Sequence, residues 1–490
     1  MGKLTSPGRS SVRLWRRAAA IMVVALAALP SVAPRELAAR PCPPGTGPNF
    51  ELPPDLDPKI GEQYRAALKA FEAAESAEEG ATGKIEKAVK LLKAAQAAAP
   101  RFAPPLYYLG IAYQWTKEFD RARAVLKQAL EINPKFHEAI VELADTYVWL
   151  KQFDRAWPEY ERAIALKPEY AHAYAARGFA RLRAGDLAGA ASDLEKANGL
   201  GEPDLSKAIE FVRREIRGPD WKQTFVCETE HYTVLTGENQ ALADEIGKHA
   251  ELIHRTYSRI FKDIKKEKRK FPIVVFGSAE EYHENGGPPQ AGGHYNPLLR
   301  KLYIFKYPKD RDTKLVLYHE GFHQFLHDYL EDAPQWFNEG LADFFGPSRY
   351  VSKTGKTGNV VSEGMELRPN PWRLKAIQMA LKAGRVRPWR DLMLMSQREL
   401  YDPRLAGLHY AQSWSIVYFL IRGDAKPSDN AGPHFQVLAS YFAALRKGLG
   451  QEEAFNASFG KCDLAKLEEK WKSFILSLPA EAEEPAPGEE

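Results

Sequence analysis

A fixed spacing of 34 residues runs through the first half of the chain and constrains its fold more than any other feature. Ala88, Ala122, Ala156 and Ala190 are in step, as are Ala95, Ala129, Ala163 and Ala197, and Pro100, Pro134 and Pro168 close three successive units. Gly110, Ala144 and Gly178 share a further small position, with Tyr113 and Tyr147 three residues after the first two. A unit this short cannot bury an apolar face alone, so it must stack on its neighbours. The chain has 490 residues, enough for two to four domains, so the repeats account for only part of it.

The pattern resembles the tetratricopeptide repeat over roughly residues 66 to 202. That resemblance implies antiparallel helix pairs, with small residues where helices cross and a proline that stops the second helix. The first unit is the least regular, interrupted at Glu78-Glu79-Gly80, as a terminal unit is. Asp204 to Arg217 reads as a cap helix: Leu205, Ile209, Val212 and Ile216 make an apolar stripe, and Lys207, Glu210, Arg213 and Arg214 lie off it. Residues 66–217 are thus expected to be a repeat domain. Repeats of this kind usually bind a peptide or partner protein on the concave face, and the competing reading is a rigid spacer.

The formal net charge is +4. Within residues 1–39, however, Lys3, Arg9, Arg13, Arg16, Arg17 and Arg35 against Glu36 give +5, so the remainder is near −1 and nothing points to nucleic acid. The same residues have the layout of an export signal, with an apolar run Ala18 to Leu29 and small residues around Ser31-Val32-Ala33 and Leu37-Ala38-Ala39. A periplasmic or secreted location is expected. An uncleaved anchor is the alternative, and only then would the chain meet a membrane; the run is short for a bilayer. Proline-rich residues 40–65 read as a linker and residues 479–490 as a disordered acidic tail. Cys42, Cys227 and Cys462 are an odd, widely spread set that does not read as a metal site and leaves any pairing open.

After Gly218-Pro219 the character changes to α+β. Phe225 to Thr236 reads as a strand, Leu242 to Phe261 as an amphipathic helix, Pro272 to Phe276 as a buried strand and Lys301 to Lys306 as a third. Thr313 to Leu330 reads as a buried helix carrying His319-Glu320-Gly321-Phe322-His323. Side chains at i and i+4 lie one turn apart on one face, so His319 and His323 can each direct a nitrogen at one ion. Glu320 is offset by about 100° and is better placed to reach a water than to ligate. A second helix starts at Pro334, where Glu339 and Asp343 repeat the i, i+4 spacing. One of these carboxylates can bind zinc while the other accepts from a ligating histidine.

HEGFH followed by WFNEGLADFF resembles the gluzincins, the zinc peptidases with a glutamate ligand, and most of all the bacterial peptidase MA-like domain. The resemblance spans roughly residues 219 to 478 and implies a small sheet with a mostly helical C-terminal part. It implies one Zn2+ per chain on His319, His323 and Glu339, with Glu320 as general base and Asp343 behind a ligand. Tyr410 matches the family's tyrosine donor to the oxyanion, with His409 as an adjacent competitor. His294 and Tyr295 are candidate substrate contacts, His327 reads as a core histidine or a support to the ligands, and Leu302 to Phe305 as an edge strand able to pair with a peptide. The activity implied is hydrolysis of a peptide or protein substrate. The alternative is an envelope assembly or scaffold protein whose zinc domain binds without turnover.

Overall fold

The computed structural model describes residues 57–75, 81–203, 205–261, 270–354, 360–423 and 433–479. The expected export signal, Cys42, Glu78-Glu79-Gly80, Asp204 and the tail from residue 480 lie outside them. The chain divides into two compact units that meet at Asp220 and Trp221 in sequence.

The first unit is helical throughout its described elements. Its helices follow one another as α1 (Pro58–Glu75), α2 (Ala81–Ala98), α3 (Pro104–Trp115), α4 (Phe119–Ile132), α5 (His137–Trp149), α6 (Phe153–Leu166), α7 (Ala171–Ala184), α8 (Leu187–Gly199) and α9 (Ser206–Arg217). All eight in-step alanines have 0% exposure. A Cβ added at Gly110 would come within 2.5 Å of Leu126 Cγ, and one at Gly178 within 3.0 Å of Leu194 Cγ. The small positions are therefore where paired helices cross. Helices α2, α4 and α6 stop at Ala98, Ile132 and Leu166, each two residues before its proline. The turn inside three successive pairs carries a left-handed residue at the same phase: Lys117 (φ 60°), Lys151 (φ 58°) and Gly185 (φ 86°).

Two expectations shift. Pro58 opens α1 instead of closing the linker, so the helical unit starts before residue 66. Proline is tolerated in the first turn, where its N–H would have no intrahelical partner. In α9 the stripe is shorter than expected: Leu205, Ile209 and Val212 are buried, but Ile216 is exposed.

The second unit, residues 221–479, is mostly helical around a small sheet of order β1-β2-β3-β5-β4. The single strand expected from Phe225 to Thr236 is a hairpin of β1 (Phe225–Glu228) and β2 (Tyr232–Thr236). Its turn is closed by Thr229 N–H to Tyr232 O and braced by Glu251, which accepts from His231 N at 2.6 Å. Strands β3 (Phe271–Phe276) and β5 (Lys301–Phe305) run parallel to β2, and β4 (Gly293–Asn296) pairs antiparallel with β5. Strand β5 is therefore internal, and the edge strand on its side is β4, formed within the connection between β3 and β5, with β1 at the opposite edge. A second, two-stranded sheet pairs β6 (Arg349–Thr354) with β7 (Val360–Glu366).

Val234, Ile273, Val275, Leu302 and Ile304 have no exposure and join one core with α10 (Gln240–Ile260), α12 (Asp310–His327) and α13 (Gln335–Phe345). Helix α11 is Ala279–Glu284, and α14 (Pro371–Lys382), α15 (Trp389–Met393), α16 (Gln397–Leu400) and α17 (Ala406–Arg422) follow the second sheet. Helix α13 packs closely on α17, where a Cβ at Gly340 would meet the Ser413 carbonyl oxygen at 2.8 Å. Cys227 and Cys462 are free thiols. No helix among the described residues is long and apolar enough to cross a membrane.

Candidate metal centre

The site forms between α12 and α13. One turn of α12 separates His319 from His323, whose ring centroids lie 5.0 Å apart. Glu339, on the first turns of α13, faces both: its Oε2 is 3.7 Å from His319 Nε2 and 3.7 Å from His323 Nε2. These separations are too long for direct hydrogen bonds. They approach the roughly 3.3 Å between donors that share a tetrahedral zinc at about 2.0–2.1 Å. One potential ligand atom from each residue lies within 4.8 Å of the other two.

The other nitrogen of each imidazole faces an outer oxygen, hydrogen-bonded for His323 and at ion-pair distance for His319. His319 Nδ1 is 3.5 Å from Asp343 Oδ1, and His323 Nδ1 is 2.8 Å from Asn338 Oδ1. Such outer partners fix the tautomer and aim Nε2 inward. Arg373, near the start of α14, donates from Nε to Asp343 Oδ2 at 2.7 Å. The Tyr401 hydroxyl lies 2.8 Å from both Glu339 Oε1 and Gln335 Oε1, and its one proton goes best to the charged carboxylate. Tyr410 has 1% exposure, and its ring packs on that of Tyr401 with centroids 5.8 Å apart.

Glu320 is buried beside this set, and its Oε2 accepts from the Tyr295 backbone N–H at 3.1 Å. Burial raises its pKa, against the pull of His323 and His319. Burial opposes the ionised forms of Glu339 and Asp343 too. The two histidines outweigh it for Glu339, and Arg373 with His319 outweighs it for Asp343, so both stay below the usual carboxylate range. For His319 burial favours the neutral ring, yet Asp343 and Glu339 push its pKa up to about 10. Once a metal has displaced the proton that this pKa places on His319, the carboxylates Glu320, Glu339 and Asp343 against the Arg373 guanidinium leave a formal −2. A divalent cation would neutralise that charge, and two imidazole nitrogens with a carboxylate oxygen are a donor set that suits zinc, a borderline-soft ion.

The remaining candidates are placed differently. His409 is buried and bonded through Nδ1 to the Leu400 carbonyl at 3.1 Å, and burial lowers its pKa. His294 is bonded to the Tyr282 hydroxyl at 2.8 Å and stacks on Tyr303. Tyr295 meets Glu320 through its backbone, while its hydroxyl lies 2.9 Å from His327 Nδ1. Sequence reasoning missed Asn338, Arg373 and Tyr401. Asn338 is adjacent to Glu339, the one signal available; nothing local ties Arg373 to Asp343, 30 positions earlier, or Tyr401 to Glu339, 62 positions earlier.

Two family models match. One is described as "Tetratricopeptide repeat" and covers residues 81–135 and 117–178; the other, "Protein of unknown function (DUF1570)", covers residues 315–428. Among solved structures, the chain is similar to "MamA 41-end from Desulfovibrio magneticus RS-1", at 22% identity over 33% of this chain and 87% of that one, with a TM-score of 0.28. It is also similar to "MamA RS-1 ArsTM double mutant", at 22% identity over 33% and 86%, with a TM-score of 0.27. No curated protein matches. The second matched segment contains His319, Glu320, His323, Glu339, Asp343, Arg373, Tyr401 and Tyr410. The N-terminal helical unit carries tetratricopeptide repeats, and the candidate metal ligands lie within a DUF1570 domain.

Proposed function

We propose that the chain is an exported zinc-dependent peptidase of the gluzincin type, whose repeats recruit a protein partner or the substrate. The observation that carries this reading is the convergence of His319 Nε2, His323 Nε2 and Glu339 Oε2, with each imidazole held from behind. Zinc held there would polarise a substrate carbonyl and make a water more acidic. Glu320 takes the proton from the attacking water and passes it to the leaving amine. Its Oε2 rests on the Tyr295 N–H, which leaves Oε1 to carry the proton. The raised pKa suits both halves of that transfer, since the group must hold a proton as well as accept one. Because the edge strand beside Glu320 is β4, an extended peptide laid along it would present its backbone to the base.

Peptide-library cleavage by the full chain, with and without a chelator, tests the reading. Chelator-sensitive cleavage is expected, and Glu320→Gln should keep zinc yet lose nearly all turnover. Parental turnover in that variant would remove Glu320 from the role of base.

A second reading is favoured by the repeat match, which suggests protein–protein interaction: an envelope scaffold whose zinc domain binds without turnover. Stoichiometric zinc without cleavage of any library, together with a tight partner held by the repeat unit, would support it.

A further inference from the structure

Arg373 touches none of the three candidate ligands, yet two separate routes lead from it to two of them. Its side chain is buried, with 4% residue exposure. Along the first route Nε donates to Asp343 Oδ2 at 2.7 Å, and Asp343 Oδ1 faces His319 Nδ1 at 3.5 Å. Along the second, the guanidinium carbon lies 5.1 Å from the centre of the Tyr410 ring; Tyr410 packs on Tyr401 with ring centroids 5.8 Å apart, and the Tyr401 hydroxyl reaches Glu339 Oε1 at 2.8 Å. His323 stands apart, its outer nitrogen on Asn338. We propose that Arg373 is a positioning residue that sets His319 and Glu339 at once, so that one buried guanidinium fixes two of the three ligand directions and with them the zinc affinity. The inference rests on the metal-centre reading.

Two effects of removing Arg373 oppose each other. Loss of a positive charge strengthens the bare attraction for a cation. It also leaves Asp343 Oδ2 without its donor in a buried site, which drives that carboxylate to reorient, and releases Tyr410 from the cation against its ring. Outer partners of metal ligands commonly govern about 10- to 100-fold in affinity, so loss of aim is expected to win.

The test is the zinc dissociation constant of the full chain, measured by competition with a chromogenic chelator. Arg373→Met should weaken binding by about 10- to 100-fold. Asp343→Asn cuts the first route alone, so Arg373→Met added to it should weaken binding again. Equal affinity of the double variant and Asp343→Asn would overturn the second route, and tighter binding by Arg373→Met would overturn positioning altogether. Far-ultraviolet circular dichroism of the zinc-free proteins establishes that each is folded. Should Arg373→Met fail to fold, Arg373→Lys takes its place: it keeps the charge but not the planar fork, and affinity equal to the parent's would overturn the proposal. If the unaltered chain binds no zinc, the metal reading itself falls and this inference with it.

Discussion

Tyr401 and Tyr410 pack ring against ring beside Glu339, and the Tyr401 hydroxyl hydrogen-bonds the carboxylate. Tyr401 is partly exposed, whereas Tyr410 is sealed in the core. A donor to a developing oxyanion must reach the reacting carbonyl, which favours the outer hydroxyl provided its one proton turns from Glu339 to the oxyanion. Tyr401→Phe should therefore lower turnover by roughly a hundredfold, about 3 kcal/mol, and Tyr410→Phe by less, since it acts through its neighbour. Steady-state kinetics ranks the two, and the opposite order would return the role to Tyr410. The histidine pair was legible in sequence because i, i+4 spacing on one helix fixes a shared face. Sequence left Glu339 and Asp343 interchangeable by spacing; the structure separates them, with Glu339 toward both Nε2 atoms and Asp343 toward the far nitrogen of His319. Asn338 and Tyr401 escaped because a partner is set by how elements dock, which no local pattern records.

Elements were readable where periodicity is strong and misread where turns lack glycine and proline. The β1–β2 hairpin turns through Thr229, Glu230 and His231, none of them a usual breaker, so two strands looked like one. Strand β4 escaped for the opposite reason: its four residues sit in a stretch so rich in glycine and proline that a strand was not expected. The recurrent left-handed turn residue gives a direct test of the repeat geometry. Lysine meets a steric penalty at positive φ that glycine does not, so Lys151→Gly should raise stability by roughly 0.5–1 kcal/mol, read as a higher urea midpoint. Lower stability would mean that the Lys151 side chain contributes more than its backbone costs. At the α13–α17 crossing the sign reverses. Gly340→Ala must push α13 off the Ser413 backbone, at about 1–3 kcal/mol, and should loosen zinc as well because Glu339 is the preceding residue. Unchanged melting and zinc content would show that the two helices separate freely.

At the scale of the molecule, each unit has its own apolar core, one within the repeats and one joining the sheet to α10, α12 and the later helices. Deleting residues 40–217 should therefore leave a soluble, zinc-binding second unit with a single cooperative melt. Aggregation of that fragment would show that it needs the repeats for cover. The division was legible because the 34-residue period ends where the strand-rich pattern begins; the start of the first unit was not, because a proline at a helix start reads like the end of a linker. Separate cores also bear on synthesis. A chain made from its N-terminus completes the repeat core first, while the metal centre waits for residues as late as Tyr410. A premature stop between these points would yield a folded repeat unit that brings no ligand set, so if the repeats recruit a partner as proposed, a truncated product would compete with the longer protein as well as fail to replace it.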